Sequence, residues 1–187
     1  RTQGIQFMYS GFDNFLLRGG MNDGINADNL DWNSGRGEFA FTARADWVAM
    51  GEMKQFQSFT ANRSADTGLR FGGAIHYQDG DVGDAATAGS NKGPWPNNFR
   101  ATIDGQFEMQ GWSVFGSATY DAVQQETPGN PDADNYAIVL QTGFYLTDEW
   151  ELFGRWEYID FDDGIAASQS DEYNIFTFGT NYYVNGQ

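Results

Sequence analysis

The sequence predicts an all-β fold of antiparallel strands. Phe, Tyr and Trp together make up 17% of the 187 residues, and aromatic residues are enriched in strands. A content of 24 Gly with only 4 Pro would also fit disorder, but disordered chains are poor in aromatic residues. Apolar and polar residues alternate in segments that recur about every twenty residues, which is the pattern of half-buried strands.

The stretch FYLTDEWELFGRWEYIDF shows this alternation clearly. After its Thr-Asp pair, Trp150, Leu152 and Trp156 share one parity, whereas Glu151 and Arg155 share the other. Spacing alone also permits a helix with one apolar stripe. The aromatic content and the turn-forming Thr-Asp pair favour two antiparallel strands around a tight turn.

Nine segments have the length and alternation of strands, and residues 56–59 are a candidate tenth. The nine are 3–9, 15–22, 38–50, 68–78, 99–110, 112–121, 135–146, 150–161 and 172–184. The connections at 110–111 and 147–148 are tight, whereas three connections are long and polar: 79–98, 122–135 and 162–171. Short turns at one end of a sheet and long loops at the other are typical of outer-membrane barrels.

Each strand divides into an apolar and a polar parity. In segment 99–110, for example, Phe99 and Ile103 alternate with Arg100 and Asp104. A soluble sandwich of two sheets would show the same alternation with its apolar faces inward. Alternation alone therefore leaves the sandwich and the barrel open.

Aromatic placement and strand length favour an antiparallel transmembrane β-barrel. Several rings fall near strand ends, where a membrane barrel carries its two aromatic girdles; these are Trp47, Trp112, Tyr120, Tyr136, Trp150, Tyr158 and Tyr182. Strands of about ten to twelve residues are long for a small sandwich and suit a tilted crossing of a ~25 Å apolar band. The polar parity would then line the pore, and the predicted pore-lining residues are Arg44, Asp46, Arg70, Arg100, Asp104, Glu108, Glu151, Arg155 and Glu157.

Composition excludes several other classes of protein. The chain carries 10 Lys and Arg against 26 Asp and Glu, a net charge of −16, whereas nucleic-acid binding needs a positive surface. Cysteine is absent, which excludes disulfides, thiolate metal sites and thiol nucleophiles. Apolar runs such as YAIVL are far shorter than the ~20 residues of a transmembrane helix, but a membrane strand needs only ~10.

The C-terminal part of the sequence resembles a known family. LQTGFYLTDEWELFGRWEYID and the later FTFGTNYYVNG look like the closing part of the phosphate-selective porin O and P family. The matching residues are Gly143, Tyr145, Leu146, Thr147, Trp150, Glu151, Leu152, Arg155, Tyr158, Asp160, Gly179, Asn181, Tyr182, Tyr183, Asn185 and Gly186. The resemblance covers about the last fifty residues, with FTARADWVAMGE as a looser echo.

The resemblance implies a sixteen-stranded, homotrimeric porin barrel in the outer membrane of a Gram-negative-type bacterium. Residues 1–187 would be one incomplete β-barrel domain, the C-terminal half or so, carrying about nine or ten of the strands. Its partners would be outer-membrane lipid, lipopolysaccharide and small ions or solutes in transit. The expected function is a water-filled channel for passive diffusion, with selectivity set by lumen-facing Arg and Asp or Glu.

The charged residues on the polar parity have two interpretations. Arg44, Arg70, Arg100 and Arg155 lie on this parity, whereas the face of Arg18 is left open. Each Arg pairs with a neighbouring carboxylate such as Asp46, Asp104 or Glu157 and braces the wall, contributes directly to an anion path, or does both. An anion path needs an excess of basic residues, and Lys occurs only at positions 54 and 92. A general or weakly cation-preferring channel is therefore expected rather than a phosphate-selective one.

No catalytic or cofactor-binding constellation is expected. His76 is the only histidine and has no serine motif near it, so a Ser-His-Asp triad is not expected. GRGEFA fits Gly-x-Gly-x-x-Ala but leads into a predicted strand instead of a helix. The acid-rich loops lack the EF-hand pattern and are expected to be solvated, with divalent bridging to lipopolysaccharide as the alternative; they hold Asp79, Asp81 and Asp84, and Asp160, Asp162 and Asp163.

Two other functions remain open. One is a soluble or surface-attached β-sandwich that binds carbohydrate through exposed aromatic rings. The other is a small barrel with a structural role or a role in lipid chemistry.

Overall fold

The structure, a computed structural model, describes residues 4–23, 37–80, 96–125, 131–162 and 171–184. Nine strands account for most of these residues. They are β1 (Gly4–Phe12), β2 (Phe15–Asn22), β3 (Gly37–Met50), β4 (Gly68–Gly80), β5 (Asn97–Met109), β6 (Trp112–Gln124), β7 (Ala133–Tyr145), β8 (Trp150–Asp160) and β9 (Glu172–Tyr182). The all-β prediction is confirmed, and each of the nine predicted segments corresponds to one strand.

The prediction of a tenth strand at 56–59 is wrong. Phe56 belongs to a short 3₁₀ helix, η1 (Met53–Gln57), with φ −89° and ψ 27°. The apolar residues here do not pair with a neighbouring strand. Phe56 is instead buried, at 6% exposure, because this connection packs on the sheet.

All nine strands form one antiparallel sheet in the order of the chain, β1 to β9. Each strand pairs with the strand that precedes it, so the sheet is an uninterrupted meander. Over the part of the chain that the structure describes, the sheet is open, with β1 and β9 at its edges. Every residue of β1 is exposed, as expected for an edge strand.

Tight turns connect strands at one end of the sheet, here called the short-turn end. They lie at 13–14, 110–111 and 146–149. Gly111 has a φ of +80°, a conformation that residues with a Cβ adopt rarely. Residues 51–67 connect β3 to β4 at this same end, so the predicted sorting of turns by length has one exception.

Strand register places the two parities on opposite faces of the sheet. We call one the apolar face; its members include Phe41, Trp47, Phe71, Ile75, Ile103, Val114, Leu140, Leu152, Trp156, Phe176 and Phe178. The polar face includes Thr42, Arg44, Asp46, His76, Arg100, Asp104, Glu108, Thr119, Gln141, Arg155, Glu157 and Thr177. Both faces extend from β2 to β9, and the polar face also carries apolar side chains between β6 and β9: Phe115, Val139, Phe153, Ile159 and Ile175.

The apolar face has no layer packed against it within the described residues. Ile103 is 69% exposed and Phe178 is 79% exposed, although both lie within strands. The buried apolar residues are few, and the described ones are Ala40, Val48, Phe56, Ala61, Ala133 and Tyr145. No helix in these parts of the chain is long and apolar enough to span a membrane.

Candidate functional site: the polar face of the sheet

Five charged residues from four adjacent strands form a cluster on the polar face. Arg44 of β3 donates two hydrogen bonds to Asp104 of β5, Nη1 to Oδ2 at 2.7 Å and Nη2 to Oδ1 at 2.9 Å. Arg44 Nη2 also lies 2.6 Å from Asp46 Oδ1, and Arg18 Nη2 of β2 lies 2.6 Å from Asp46 Oδ2. Arg70 Nη2 of β4 donates to Asp104 Oδ1 at 3.3 Å. We call these residues the arginine–aspartate cluster.

The cluster holds three guanidinium groups against two carboxylates, an excess of one positive charge. The two carboxylates are buried more deeply than the guanidinium groups: the Asp46 and Asp104 side chains are 1% and 4% exposed. The Arg18 side chain is 37% exposed. Guanidinium groups are planar and carry five donors, so one Arg can hold two carboxylates at once. The arrangement therefore joins β2, β3, β4 and β5 on one face.

A glycine makes the central contact geometrically possible. Gly72 lies on β4 directly between Asp46 of β3 and Asp104 of β5 in the strand register. A Cβ at position 72 would lie 2.7 Å from both Asp104 carboxylate oxygens and would also overlap Arg44. The absence of a side chain at Gly72 lets the Arg44–Asp104 pair pass over β4.

Two further ion pairs lie on the polar face and are more exposed. Arg100 Nε donates to Asp121 Oδ1 at 3.0 Å, and the Arg100 side chain is 53% exposed. Arg155 Nη2 donates to Glu157 Oε1 at 2.7 Å, with the Arg155 side chain 41% exposed. The arginines predicted to pair with carboxylates do so, although the partner of Arg100 is Asp121.

Two carboxylates near the short-turn end are almost fully covered. Glu108 and Glu151 are each 1% exposed. Glu108 Oε1 accepts a hydrogen bond from Gln106 Nε2 at 2.7 Å. Glu151 Oε2 accepts from Asn181 Nδ2 at 2.9 Å and from the Tyr183 hydroxyl at 2.8 Å. These donors compensate the loss of water around each carboxylate.

Residues 51–67, here called the cover segment, lie over part of the polar face. The Ser58 carbonyl accepts a hydrogen bond from Gln106 Nε2 on β5. The Asn62 carbonyl accepts one from the backbone N–H of Gly111 at 2.9 Å. The cover segment is thus bonded both to the sheet and to the turn between β5 and β6.

Aromatic contacts complete this packing. The Phe59 and Phe115 rings lie edge to face with centroids 4.7 Å apart. The Arg70 guanidinium lies 5.9 Å from the centroid of the Phe56 ring, which is within the range of a cation–π contact. Because Arg70 also contacts Asp104, the cover segment packs directly on the arginine–aspartate cluster.

All nine residues predicted to line a pore lie on the polar face: Arg44, Asp46, Arg70, Arg100, Asp104, Glu108, Glu151, Arg155 and Glu157. Their exposure is unequal, because the four carboxylates at positions 46, 104, 108 and 151 are buried. Sequence reasoning left the face of Arg18 open and did not identify Asp121 or the cover segment. The alternation of Arg18 with the apolar Leu17 could have assigned Arg18 to the polar face.

The predicted girdle residues form two rows on the apolar face. One row lies at the short-turn end, where Trp112 packs against Phe144 at 4.6 Å and Trp150 packs against Tyr182 at 4.9 Å between ring centroids. Trp47 lies toward the same end of its own strand, three residues before the end of β3. The other row lies toward the opposite end and includes Tyr120, Tyr136 and Tyr158, with Tyr120 and Tyr136 at 5.3 Å.

The remaining candidate groups do not assemble into a reactive centre in the described residues. His76 Nδ1 lies 2.8 Å from the hydroxyl of Thr42 across the β3–β4 pair. No group of three or more His, Asp or Glu residues in the described ranges could hold a metal ion. Of the two acid-rich groups, Asp81, Asp84 and Asp163 lie outside the described residues.

Comparison with models of protein families, with curated proteins and with solved structures finds no match to this chain. The resemblance to the phosphate-selective porins stays a prediction, and the site is interpreted from its own geometry.

Proposed function

We propose that the chain contributes nine strands to the wall of an outer-membrane porin, a water-filled channel for passive diffusion of ions and small hydrophilic solutes. The observation that carries this proposal is the division of one meander sheet into an apolar face and an opposite face that carries most of the charged side chains. Lipid would contact the apolar face, and water would contact the polar face. The resemblance extends the proposal to a homotrimer in contact with lipopolysaccharide.

The exposed apolar face supports a lipid environment. Residues in the middle of strands, such as Ile75, Ile103 and Leu140, are 46–69% exposed. Soluble monomers rarely expose apolar patches larger than a few hundred Å². Lipid tails would remove this surface from water without a second protein layer.

Strand length and aromatic position support the same orientation. From β3 to β9 the strands have 11–14 residues, whereas a tilted strand needs about 9–11 to cross a bilayer. The two aromatic rows lie where the membrane–water interfaces would be. The wall of a water-filled pore would then carry the charges of the polar face, and these fixed charges would set ion selectivity.

The acidic net charge favours cations over phosphate. The sequence carries −16, and the arginines of the polar face already contact carboxylates. Paired arginines attract a passing anion less than free ones because the carboxylate opposes their field. We therefore propose a general channel with a weak preference for cations.

Planar-bilayer recording of the full-length protein tests this proposal. We expect stepwise channel currents and a reversal potential across a KCl gradient that indicates cation preference. Anion preference with block by phosphate would instead restore the selectivity implied by the resemblance. Absence of current from protein that migrates as a heat-modifiable barrel on detergent gels would contradict the channel, and absence of heat-modifiable migration would contradict the membrane barrel itself.

A further inference from the structure

We propose that the cover segment forms the narrowest part of the channel and determines which solutes pass. This inference rests on the proposed function, because a constriction requires a channel. Among the described connections at the short-turn end, residues 51–67 are the ones that leave the strand ends and pack across the polar face. Three features of the cover segment support this role: its contacts, the number of strands it crosses and the residues that it buries.

The contacts of the cover segment extend across several strands. Phe56 lies against Arg70 of β4, and Phe59 lies against Phe115 of β6. Farther along, Arg63 Nη1 donates to the Leu146 carbonyl, in the turn after β7, at 3.3 Å. Neighbouring strands are spaced by ~4.8 Å, so the contacts from β4 to β7 span roughly 15 Å of the wall.

The cover segment is fitted to the sheet at its C-terminal end. A Cβ at Gly68, the first residue of β4, would lie 2.7 Å from both Gln55 Nε2 and Phe56 Cζ. Gln55 Nε2 also donates to the Asp66 carbonyl at 2.6 Å, which closes the segment on itself. The glycine therefore permits η1 to sit directly on the base of β4.

Burial along β5 indicates which groups would meet a solute. Gln106 and Glu108, beneath the cover segment, are each 1% exposed. The Arg100 side chain, toward the opposite end of the same strand, is 53% exposed. At the short-turn end a solute would therefore contact the surface of the cover segment rather than the strand wall.

The outer surface of the cover segment is polar and carries both signs of charge. The side chains of Glu52 and Lys54 are 69% and 78% exposed and form an ion pair at 2.6 Å. Gln57 is exposed at the end of η1. The neighbouring Glu52 carboxylate raises the pKa of Lys54, so the Lys54 ammonium stays charged at neutral pH.

Cysteine modification at a single position tests the constriction. The 187 residues contain no cysteine, so a thiol-specific reagent would react within them only at the introduced cysteine. Gln57→Cys places the thiol on the cover segment. Asp13→Cys is the matched control, because Asp13 is an exposed residue in the β1–β2 turn at the same end of the sheet. Both variants of the full-length protein would be recorded before and after three thiosulfonate reagents: cationic, anionic and neutral.

We expect every reagent to lower single-channel conductance of Gln57→Cys by about twofold, with opposite shifts in ion preference for the two charged reagents, as for groups at a constriction. The Asp13→Cys variant should keep its conductance. Unchanged current through modified Gln57→Cys would overturn the constriction and leave the channel function standing. Equal losses in both variants would place the effect at the channel mouth and also overturn it, and absence of current from the unmodified protein would overturn both proposals.

Discussion

Gly72 leaves the space on β4 that the arginine–aspartate cluster occupies. Glycine in the middle of a strand normally weakens the strand, because it adds backbone entropy to the unfolded chain and offers no side chain to pack. Here the open space above it holds the Arg44–Asp104 pair. The conformational cost of this glycine is offset by a contact that would not fit above a larger residue.

Gly72→Ala should destabilise the protein, because the added methyl group would displace Arg44 and Asp104. The expected loss in free energy of unfolding is about 1–3 kcal/mol, typical of an overpacked site. Gly73→Ala is the control, since a Cβ there would lie 3.8 Å from the Thr102 carbonyl, an ordinary contact. Urea unfolding from lipid vesicles would measure both variants, and equal stability of the two would contradict this account of Gly72.

Asp104→Asn should cost more than loss of an exposed ion pair. Asp104 is the shared partner of Arg44 and Arg70, and its side chain is 4% exposed. Removing one partner of a buried ion pair lowers the free energy of unfolding by about 3–5 kcal/mol. We expect a loss at the lower end, about 3 kcal/mol, because the Arg44 side chain is 24% exposed.

The control for Asp104→Asn is Glu52→Gln in the exposed pair with Lys54. Exposed pairs contribute little because water and salt screen them. We expect unchanged unfolding for this variant in the same urea measurement. A loss as large as that of Asp104→Asn would show that exposure does not distinguish the two pairs.

Residue parity predicted the faces of most charged side chains. Arg44 and Asp46 share a parity, as do Arg100 and Asp104, so their common face follows from strand geometry. Parity could not predict which charges are buried. Burial depends on contacts between residues far apart in sequence, such as the arginines around Asp104 and the cover segment over Gln106.

Strand β7 shows the separation of faces within one element. Leu140 lies on the apolar face beside Trp156, and Val139 lies on the polar face beside Glu157. Both residues are near the middle of the strand. The same substitution at these two positions therefore compares the two faces at the same depth along the strand.

Leu140→Arg should impair membrane insertion, whereas Val139→Arg should be tolerated. An arginine facing lipid near the bilayer midplane costs about 2–4 kcal/mol, but one on the polar face would lie opposite Glu157. The free energy of unfolding from vesicles and the yield of heat-modifiable barrel would measure the difference. Similar behaviour of the two variants would mean that the faces are wrongly assigned to lipid and water.

The connection between β3 and β4 is the element that sequence patterns described poorly. Phe56 and Phe59 are aromatic residues in a short apolar run, which is also how a strand begins. Their partners, Arg70 and Phe115, belong to other strands. The 3₁₀ conformation follows from packing on a surface that the strands create only after they pair.

Under the proposed function, the whole sheet should have a defined depth in the bilayer. Trp112 lies in the row at the short-turn end, whereas Trp156 pairs with Leu140 and Phe176 near the middle of the apolar face. Indole rings favour the membrane–water interface. The first residue should therefore lie near the headgroups and the second among the lipid tails.

Fluorescence quenching in vesicles would test this depth. Two variants would each retain one tryptophan, Trp112 or Trp156, with Phe at the other positions. Lipids brominated near the headgroup should quench Trp112 more strongly, and lipids brominated deep in the acyl chain should quench Trp156 more strongly. If neither tryptophan were quenched, the apolar face would lie against protein instead of lipid.

Local patterns in the sequence were enough to predict the nine strands, their antiparallel order and the two faces. Each of these follows from local rules, since the period of two, the turn residues and the short connections act between neighbours along the chain. Contacts between strands set the partner of each arginine, the burial of four carboxylates and the path of residues 51–67. These features depend on distances between residues of different strands, such as Arg18 to Asp46 or Phe59 to Phe115, which become fixed only when the strands are in register.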